Sequence, residues 1–471
     1  MTAIGTTRRG FLGVVTGVAA FGAETRSQAP FSAQPGEPVF LLEGSTVEDL
    51  WALRRRVNPA AKSSRNPIIV KDREWEGSGP YLYGSVLYDS REKLFKAWYT
   101  VYHDNEYRKS LPGSYLTCYA TSKDGYVWQK PELGVFEWKG SKKNNFIALG
   151  RKYVGAITVI EAPKAARLPW RFIACYLDSP GVCLAYSNDG VRWVEHKRNP
   201  LDRRHSDTHN SIVYDPVRNL FLVHLRVPYK AGFTNRRIAV MESRDLETWT
   251  RPESVLLPDE ADVPEFYGMP VFRRGNLLFG LLEIYDRPAG RIEIELVFSA
   301  DGYRWERVPP RELFLTKGQA GEWDRGMLTT ASGPVVAHGE LRFYYGGARI
   351  DHNEQTPPDV AVFATGMASV PLDRLFGLTT TSADPGFLVT RPMMINGKAI
   401  EVNATVRGEL RVGVLDPDGK AVPGYEAKEC SPVTSDDLRL PVKWKDKPLP
   451  GGPVRLKFEM TNGTLYAFYV R

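Results

Sequence analysis

Acidic side chains recur just before strand-like segments in this sequence, where they could carry out acid–base chemistry. Four acids have this placement: Glu76 in "KDREWEGSGPYLYGS", Asp207 in "RRHSDTHNSIVYD", Glu265 in "DVPEFYGMPVF" and Asp324 in "GEWDRGMLTTASG". Hydrolysis of a glycosidic bond needs two carboxyl groups across the bond, one protonated and one ionised. Neighbouring charges and desolvation can separate their pKa values. We therefore predict that Asp207 forms a catalytic pair with Glu76, Glu265 or Asp324.

Aromatic, basic and amide residues accompany these acids and suit the recognition of sugars. Aromatic faces stack on sugar rings, and guanidinium groups bind hydroxyls or carboxylates. The predicted substrate-binding residues are Trp75, Tyr267, Trp323, Arg204, Arg325, His209 and Asn210. Two structural alternatives stay open at this stage. Asp207 can simply cap its loop, and His209 can be a hydrogen-bond donor in a channel instead of a proton carrier.

A short motif, repeated four times, indicates which elements hold these residues in place. It reads "TSKDGYVW" from 121, "YSNDGVRW" from 186, "ESRDLETW" from 242 and "FSADGYRW" from 298. Asp-Gly between two β-runs is typical of a hairpin turn, and the Trp that follows can pack between neighbouring sheets. The motif is therefore predicted to be a structural staple, and repetition at this period indicates a repeat architecture.

Each repeat contains four strand-like runs, which is the pattern of a propeller blade. A fifth unit without the staple begins at "GMLTTASGPVVAHGELRFYYGG". We predict an all-β protein with a five-bladed β-propeller over residues 37–375, in which "EPVFLLE" supplies a closing strand to the last blade. Residues 385–471 are predicted to form a small β-sandwich. In a propeller the first strands surround an axis, so the acids are expected to converge there.

The chain resembles the five-bladed propeller glycoside hydrolases of families 32 and 43. The resemblance rests on "CYATSKDGYVWQKPELG", "GSKKNNFI", "SDTHNSIVYDP", "YGMPVF" and "SGPVVAHGELRFYYGG", and it covers about residues 67–375. It implies a propeller and a glycosidase. Those relatives place their acids in blades 1, 2 and 3, whereas this sequence has Asp207 in blade 3 and adds Glu265 and Asp324 in blades 4 and 5. The tail resembles the β-sandwich that follows many such propellers.

The composition limits the classes of partner that the protein can bind. The formal net charge is +7, but no block of Lys and Arg with interleaved aromatics suggests a nucleic-acid surface. We expect an oligo- or polysaccharide substrate of plant or algal origin, no nucleic acid and a monomer. The spacings of His and Cys show no zinc motif, so we predict no metal and no cofactor in the site. A structural calcium ion stays open. Cys175 and Cys183 flank a "DSPG" turn, and pairing of Asp178 with Gly181 would place Cys175 opposite Leu184, one place away from Cys183. We therefore predict free buried thiols, although a disulfide stays open in an exported protein.

The N-terminal residues indicate export. "TTRRGFLGVVTGVAAFGAE" places Arg8 and Arg9 before a short apolar stretch that is too short to span a bilayer. This order is typical of a twin-arginine signal peptide, predicted over residues 1–30. We therefore expect a periplasmic or secreted protein with no membrane anchor.

Two other functions remain as alternatives. The propeller and the sandwich can bind a glycan without hydrolysing it. The staple also resembles the sialidase Asp-box, although here Gly and Trp each come one residue earlier. A sialidase would need six blades, an arginine triad and a Tyr–Glu pair, and the five blades counted argue against it.

Overall fold

The protein is almost entirely β-structure, as the sequence predicts. The structure is a computed structural model that describes residues 31–471 apart from 110–112, 150–153, 179–180, 204–205, 228–235, 264, 358–359 and 446. The predicted signal peptide lies outside the described residues. Five strands come first in the described part: β1 (Phe31–Ala33), β2 (Val39–Phe40), β3 (Val47–Trp51), β4 (Leu53–Val57) and β5 (Ala61–Lys62).

Three antiparallel four-stranded sheets, here called units 1 to 3, follow in chain order. Unit 1 comprises β6 (Tyr81–Asp89), β7 (Leu94–Tyr102), β8 (Tyr115–Ser122) and β9 (Trp128–Gln129), with the short helix α1 (Asp104–Arg108) between β7 and β8. Unit 2 comprises β10 (Gly155–Glu161), β11 (Phe172–Asp178), β12 (Gly181–Ser187) and β13 (Val194–Glu195). Unit 3 comprises β14 (Ser211–Asp215), β15 (Leu220–Val227), β16 (Arg237–Ser243) and β17 (Glu253–Leu256).

Units 4 and 5 are joined into a single sheet by a parallel pairing of Ile292 with Met327. Unit 4 comprises β18 (Glu265–Phe266), β19 (Val271–Arg274), β20 (Leu277–Asp286), β21 (Arg291–Ser299), β22 (Glu306–Arg307) and β23 (Leu313–Leu315). Unit 5 comprises β24 (Met327–Thr330), β25 (Val335–Ala337), β26 (Glu340–Ala348) and β27 (Phe363–Pro371). Single 3-10 turns form at Glu74–Glu76, Lys164–Ala166 and Ala427–Glu429.

The repeated motif is a structural staple, as predicted. In the second copy, Ser187 Oγ accepts a hydrogen bond from Gly190 N at 2.8 Å, and Trp193 Nε1 donates to Gly190 O at 3.1 Å. Trp193 packs in a core cluster with Trp98 of unit 1 and Phe172 of unit 2, so the motif ties neighbouring units together. In the third copy Leu246 adopts the positive φ of 64° that Gly adopts elsewhere, because the turn geometry is kept.

Hydrogen bonds connect the first strands of successive units. Ser85 Oγ of β6 donates to Ile157 O of β10 at 3.0 Å. Thr158 of β10 donates to Asn210 O, which precedes β14, at 3.0 Å, and Val271 N of β19 donates to Ser211 Oγ of β14 at 2.8 Å. Thr329 of β24 donates back to Leu82 O of β6 at 3.2 Å.

These first-strand regions also surround common space. One cavity of about 310 Å³ has lining residues from all five units, among them Val86, Val159, Val213, Val271 and Ser332. The first-strand regions of the five units therefore line one shared space in the described part of the chain. That placement brings their ends together although they are far apart in sequence.

The prediction for the closing strand was wrong. Val39 and Phe40 of "EPVFLLE" pair with Phe468 and Ala467 near the C-terminus, not with unit 5. The outer strand of unit 5 is instead β5, which pairs Lys62 with Ala368. The apolar character of residues 39–40 fits pairing with either unit 5 or the C-terminal strand. Only the register with the C-terminal strand decides between them.

Two six-stranded sheets share one hydrophobic core after residue 375. Their later strands are β28 (Phe376–Thr380), β29 (Gly386–Thr390), β30 (Met393–Ile395), β31 (Ile400–Val406), β32 (Leu410–Leu415), β33 (Asp436–Val442), β34 (Gly452–Met460) and β35 (Gly463–Val470). Strands β1 to β4 complete both sheets. The core includes Leu388 and Phe458 from one sheet and Val402 and Phe468 from the other.

The pairing of β11 with β12 has the predicted register. Asp178 pairs with Gly181, so Cys175 stands opposite Leu184 and one place away from Cys183. All four cysteines are buried and free. Burial raises the pKa of the Cys183 thiol to about 12, which suits an unreactive packed side chain. None of the described helices is long and apolar enough to cross a membrane.

Candidate functional site

A cavity of about 230 Å³ lies where the leading ends of several first strands meet. We call it the tyrosine pocket. Its lining residues are Tyr81, Tyr83, Tyr107, Tyr115, Gly155, Ala156, Leu177, Asp207, Thr208, Arg236, Tyr267 and His352. Five tyrosines therefore offer rings and hydroxyls to one small space, which is a surface that suits a sugar.

Asp207 is the one carboxylate among the described residues that line this pocket. Its side chain is 48% exposed, and its Oδ2 lies 3.6 Å from the guanidinium of Arg226. It stands in the loop before β14, as the sequence predicts. Asp207 is thus the predicted catalytic acid that has direct access to a ligand in the pocket.

A second carboxyl group, which the sequence reasoning missed, is buried beside the pocket floor. Glu283 lies in the middle of β20 and is fully buried, and neither carboxyl oxygen has a hydrogen-bond partner within the described structure. Burial raises the pKa of Glu283 to about 8, although Arg226 and the backbone of Thr330 oppose the shift. A proton therefore stays on this group near neutral pH. The signal was a lone acid within the apolar run "LLFGLLEIYD".

Gly268 joins the buried carboxyl to the pocket wall. A methyl group on Gly268 would stand 2.4 Å from Thr208 Oγ1 and 2.6 Å from Glu283 Oε2, so both oxygens flank this glycine. Thr208 donates to Tyr267 O at 2.9 Å and lies 2.9 Å from the hydroxyl of Tyr83. Since Thr208, Tyr83 and Tyr267 all line the pocket, Glu283 lies directly behind its wall.

His209 and Asn210 hold the Asp207 loop in place beneath the pocket. The backbone N–H of His209 donates to Tyr83 Oη at 2.7 Å, and the Asn210 amide donates to Ser206 O and Thr208 O, each at 3.1 Å. Both side chains are fully buried. Burial lowers the pKa of His209 to about 4, so its ring is neutral at pH 7. These residues position the loop, and neither lines the pocket.

Tyr267 links the pocket to two guanidinium groups and a histidine. The guanidinium carbons of Arg226 and Arg236 lie 5.2 and 5.1 Å from the Tyr267 ring centroid. Tyr267 Oη is 3.1 Å from His352 Nε2, and His352 Nδ1 is 3.0 Å from the hydroxyl of Tyr285. Burial and the nearby Arg236 lower the pKa of His352 to about 4. Tyr267 therefore lines the pocket with a ring that these contacts hold in place.

No family model and no curated protein matches this sequence. Solved structures do show likeness. A glycoside hydrolase has a TM-score of 0.46 at 11% identity, over 67% of this chain and 92% of its own. A thermostable family-43 glycoside hydrolase has a TM-score of 0.44 at 16% identity, over 68% and 98%. An α-L-arabinofuranosidase from Podospora anserina, solved with cellotriose, has 0.42 at 10% identity, over 68% and 98%.

Glu265 lies beside the tyrosine pocket but does not line it. Its buried carboxylate is 2.8 Å from the guanidinium of Arg287 and 3.1 Å from that of Arg236. Of these three residues only Arg236 reaches the pocket surface. The structure therefore places Glu265 as a counter-ion for a pocket residue.

Glu76 and Asp324, the other two predicted acids, do not reach the pocket. Glu76 is fully buried and accepts hydrogen bonds from Tyr99 Oη at 2.9 Å and from Lys130 Nζ at 2.9 Å. Asp324 accepts from Lys62 Nζ at 2.7 Å and from Tyr345 Oη at 3.0 Å. Each carboxylate is thus held by a lysine and a tyrosine in an ion pair that ties strands together. The expected gathering of all four acids in one pit is not what the structure shows.

Replacing Glu76 with Gln is expected to destabilise the fold and to leave turnover per folded molecule unchanged. The change removes the charge opposite Lys130, whose side chain is only 4% exposed, and breaking a buried pair costs about 3 kcal/mol. Urea unfolding and turnover assays measure the two effects. The exposed Glu74→Gln is the control and should shift stability by less than about 0.5 kcal/mol. A loss of turnover without a loss of stability would return Glu76 to the catalytic candidates.

Other predicted substrate binders have structural partners as well. Trp75 donates through Nε1 to Asn145 Oδ1 at 2.7 Å, and Trp323 stacks on Tyr345 with ring centroids 5.6 Å apart. Arg325 lies 3.7 Å from Glu354. None of the three lines the tyrosine pocket, and Arg204 lies outside the described residues. Across the described chain, no group of three or more His, Cys, Asp and Glu residues is arranged to hold a metal ion.

Proposed function

We propose that this protein is a glycoside hydrolase that cleaves a plant or algal oligo- or polysaccharide in the tyrosine pocket. The observation that carries the proposal is the contrast between two carboxyl groups on either side of the pocket wall. Asp207 is half-exposed and pairs with Arg226. Glu283 is buried, and burial raises its pKa to about 8, so it is mainly protonated at neutral pH. Separated environments of this kind assign acid and base roles in glycosidases.

The proposed roles follow from those environments. Asp207 acts as the carboxylate that faces the substrate, either as nucleophile or as base for a water molecule. Glu283 supplies the proton for the leaving group, which requires that its carboxyl group reach past Gly268 into the pocket when substrate is bound. Tyr81, Tyr115 and Tyr267 provide ring faces and hydroxyls for the sugar.

The architecture that we propose is a five-bladed β-propeller followed by a β-sandwich. It is supported by the hydrogen bonds between first strands of successive units and by the cavity that all five units line. The sandwich is supported by the core that the two terminal sheets share. We further propose that the protein is exported by the twin-arginine route to the periplasm or beyond and acts as a monomer without a cofactor.

A screen against plant and algal polysaccharides tests the reaction. We expect the purified protein to release new reducing ends from at least one polymer class, because a carboxylate lines the pocket and a protonated carboxyl group lies behind its wall. Heat-denatured protein is the control, and mass spectrometry identifies the products. Absence of new reducing ends across the panel, at pH values from 5 to 8, would contradict hydrolysis.

Non-catalytic glycan binding is the second candidate. It is favoured by the observation that Asp207 is the sole carboxylate on the pocket surface in the described structure. This function predicts glycan binding by calorimetry together with no released sugar. The same panel therefore separates the two functions, because each polymer is scored for both binding and cleavage.

A further inference from the structure

Positively charged groups outnumber negative ones around the tyrosine pocket. Among the described residues, Arg226 pairs with Asp207, and Arg236 and Arg287 share Glu265. Glu283, behind the pocket wall, is mainly neutral at pH 7, because burial raises its pKa to about 8. Three guanidinium groups thus face two carboxylates, which leaves an excess of one positive charge for a ligand to neutralise.

Arg236 is the one of these three arginines that is placed to use the excess. It lines the pocket, and its side chain is 84% buried between Tyr267 and Tyr285, whose ring centroids lie 5.1 and 5.0 Å from its guanidinium carbon. Its counter-ion Glu265 is shared with Arg287, so Arg236 is only partly neutralised. Its Nη1 is buried without a hydrogen bond of good geometry in the described structure. The two tyrosine rings hold the guanidinium in a fixed orientation.

We propose that the tyrosine pocket binds a sugar unit that carries a negative charge, and that Arg236 is the residue that recognises it. This inference deepens the proposed function and rests on it for the sugar itself. A planar guanidinium forms two parallel hydrogen bonds with a carboxylate or a sulfate, and such charge-assisted bonds are roughly twice as strong as neutral ones. A uronate and a sulfate ester share this chemistry, and both fit the excess of one charge.

Paired glycans that differ only in the anionic group test the inference. The uronate probes are oligogalacturonate and oligoalginate with their carboxyl-reduced counterparts, and the sulfate probe is oligocarrageenan with its desulfated counterpart. Binding is measured by calorimetry at one fixed ionic strength, since the attraction depends on salt. We expect the wild-type protein to bind one acidic member at least about tenfold more tightly than its neutral counterpart. The pair that shows the preference identifies the anion.

Arg236→Gln is expected to weaken binding of that acidic glycan by about 10- to 100-fold and to leave binding of its neutral counterpart nearly unchanged. Arg236→Lys keeps the charge but loses the planar fork, so it should recover only part of the preference. Arg311→Gln is the matched control, because Arg311 is also an ion-paired arginine, bound to Asp259, and does not line the pocket. It should keep the preference for the acidic glycan.

Two results would overturn the inference. One is a wild-type protein that binds no acidic glycan more tightly than its neutral counterpart, a comparison that needs no variant to fold. The other is an Arg236→Gln protein that keeps the full preference. Failure of the proposed function looks different: an acidic glycan binds through Arg236 and is never cleaved. Cleavage of neutral glycans without any preference for acidic ones would instead leave hydrolysis intact and remove the role of Arg236.

Discussion

Asp207→Asn is expected to lower kcat by about a hundred- to ten-thousandfold while substrate binding stays nearly intact. Asparagine has nearly the same size, but it cannot act as a nucleophile or take up a proton. The Asp207 side chain is 48% exposed, but Arg226 is only 5% exposed and loses its charged partner, so some loss of stability should accompany the loss of turnover. Turnover on the best polymer from the screen and glycan binding by calorimetry measure the two effects separately.

Asp259→Asn is a matched control for this variant. Asp259 is also half-exposed, at 45%, and pairs with an arginine, Arg311, but it lies in a loop that does not line the tyrosine pocket. Its replacement should leave kcat unchanged. If Asp207→Asn turns over substrate at the wild-type rate, Asp207 caps its loop, as the structural alternative holds, and the proposed catalytic pair is wrong.

Glu283→Gln is expected to have two effects. It should lower activity, and it should remove a pH dependence of the free energy of unfolding. The folded pKa of Glu283 is about 8, above the ordinary value of 4.5, so the folded state binds a proton that the unfolded state has released. This contribution to the free energy of unfolding is fully present below pH 4.5 and is lost as the pH rises towards 8. The slope is about 1.4 kcal/mol per pH unit. Glutamine is neutral at every pH and removes that slope.

Between pH 6.5 and 8 the effect of Glu283 on stability can be measured without a contribution from the buried histidines. Burial lowers the pKa values of His209, His224 and His352 to about 4. These histidines therefore make the free energy of unfolding increase with pH, and they do so only between about pH 4 and 6.5. From pH 6.5 to 8 the free energy of unfolding of the wild-type protein should therefore fall by roughly 2 kcal/mol relative to that of Glu283→Gln. Urea unfolding at four pH values measures it.

Glu306→Gln controls for the removal of any acid with a raised pKa. Burial also raises the pKa of Glu306, but this residue is in β22, outside the tyrosine pocket, and it should keep the wild-type slope. Turnover by Glu283→Gln should fall by at least about a hundredfold if Glu283 is the proton donor. A variant with the wild-type slope and full turnover would show that Glu283 is ionised and plays no part in the reaction.

The strands and turns were predictable because their causes are local in sequence. Within a single turn, Ser187 Oγ donates to Asp189 and accepts from Gly190 N, and Trp193 Nε1 donates to Gly190 O. The Ser, Asp and Trp recur in the other copies. The register of Cys175 against Leu184 followed from one short turn in the same way. Alternating apolar residues then defined the neighbouring strands.

The roles of the acids were only partly predictable because they depend on distant partners. Asp324 is bound by Lys62, and Glu76 by Lys130 and Tyr99, and nothing near these acids in sequence indicates those contacts. Each acid that stands before a first strand therefore looked equivalent until its counter-ion was known. Glu283 was missed for the converse reason. It lies inside strand β20 and not in the loop that leads into a first strand.

Strands from both ends of the chain pair in the same terminal sheets, so the N-terminal strands must wait for their partners to be synthesised. Strand β35 pairs with β2 and β28, and β28 in turn pairs with β4. While the ribosome is still making the middle of the chain, residues 39–57 have no partner strands and expose edges that can pair with other molecules. Residues 47–57 gain their partners once residues 376–390 have been translated, and Val39–Phe40 gains its partner only with residues 463–470, so the nascent protein needs protection from aggregation for most of its synthesis.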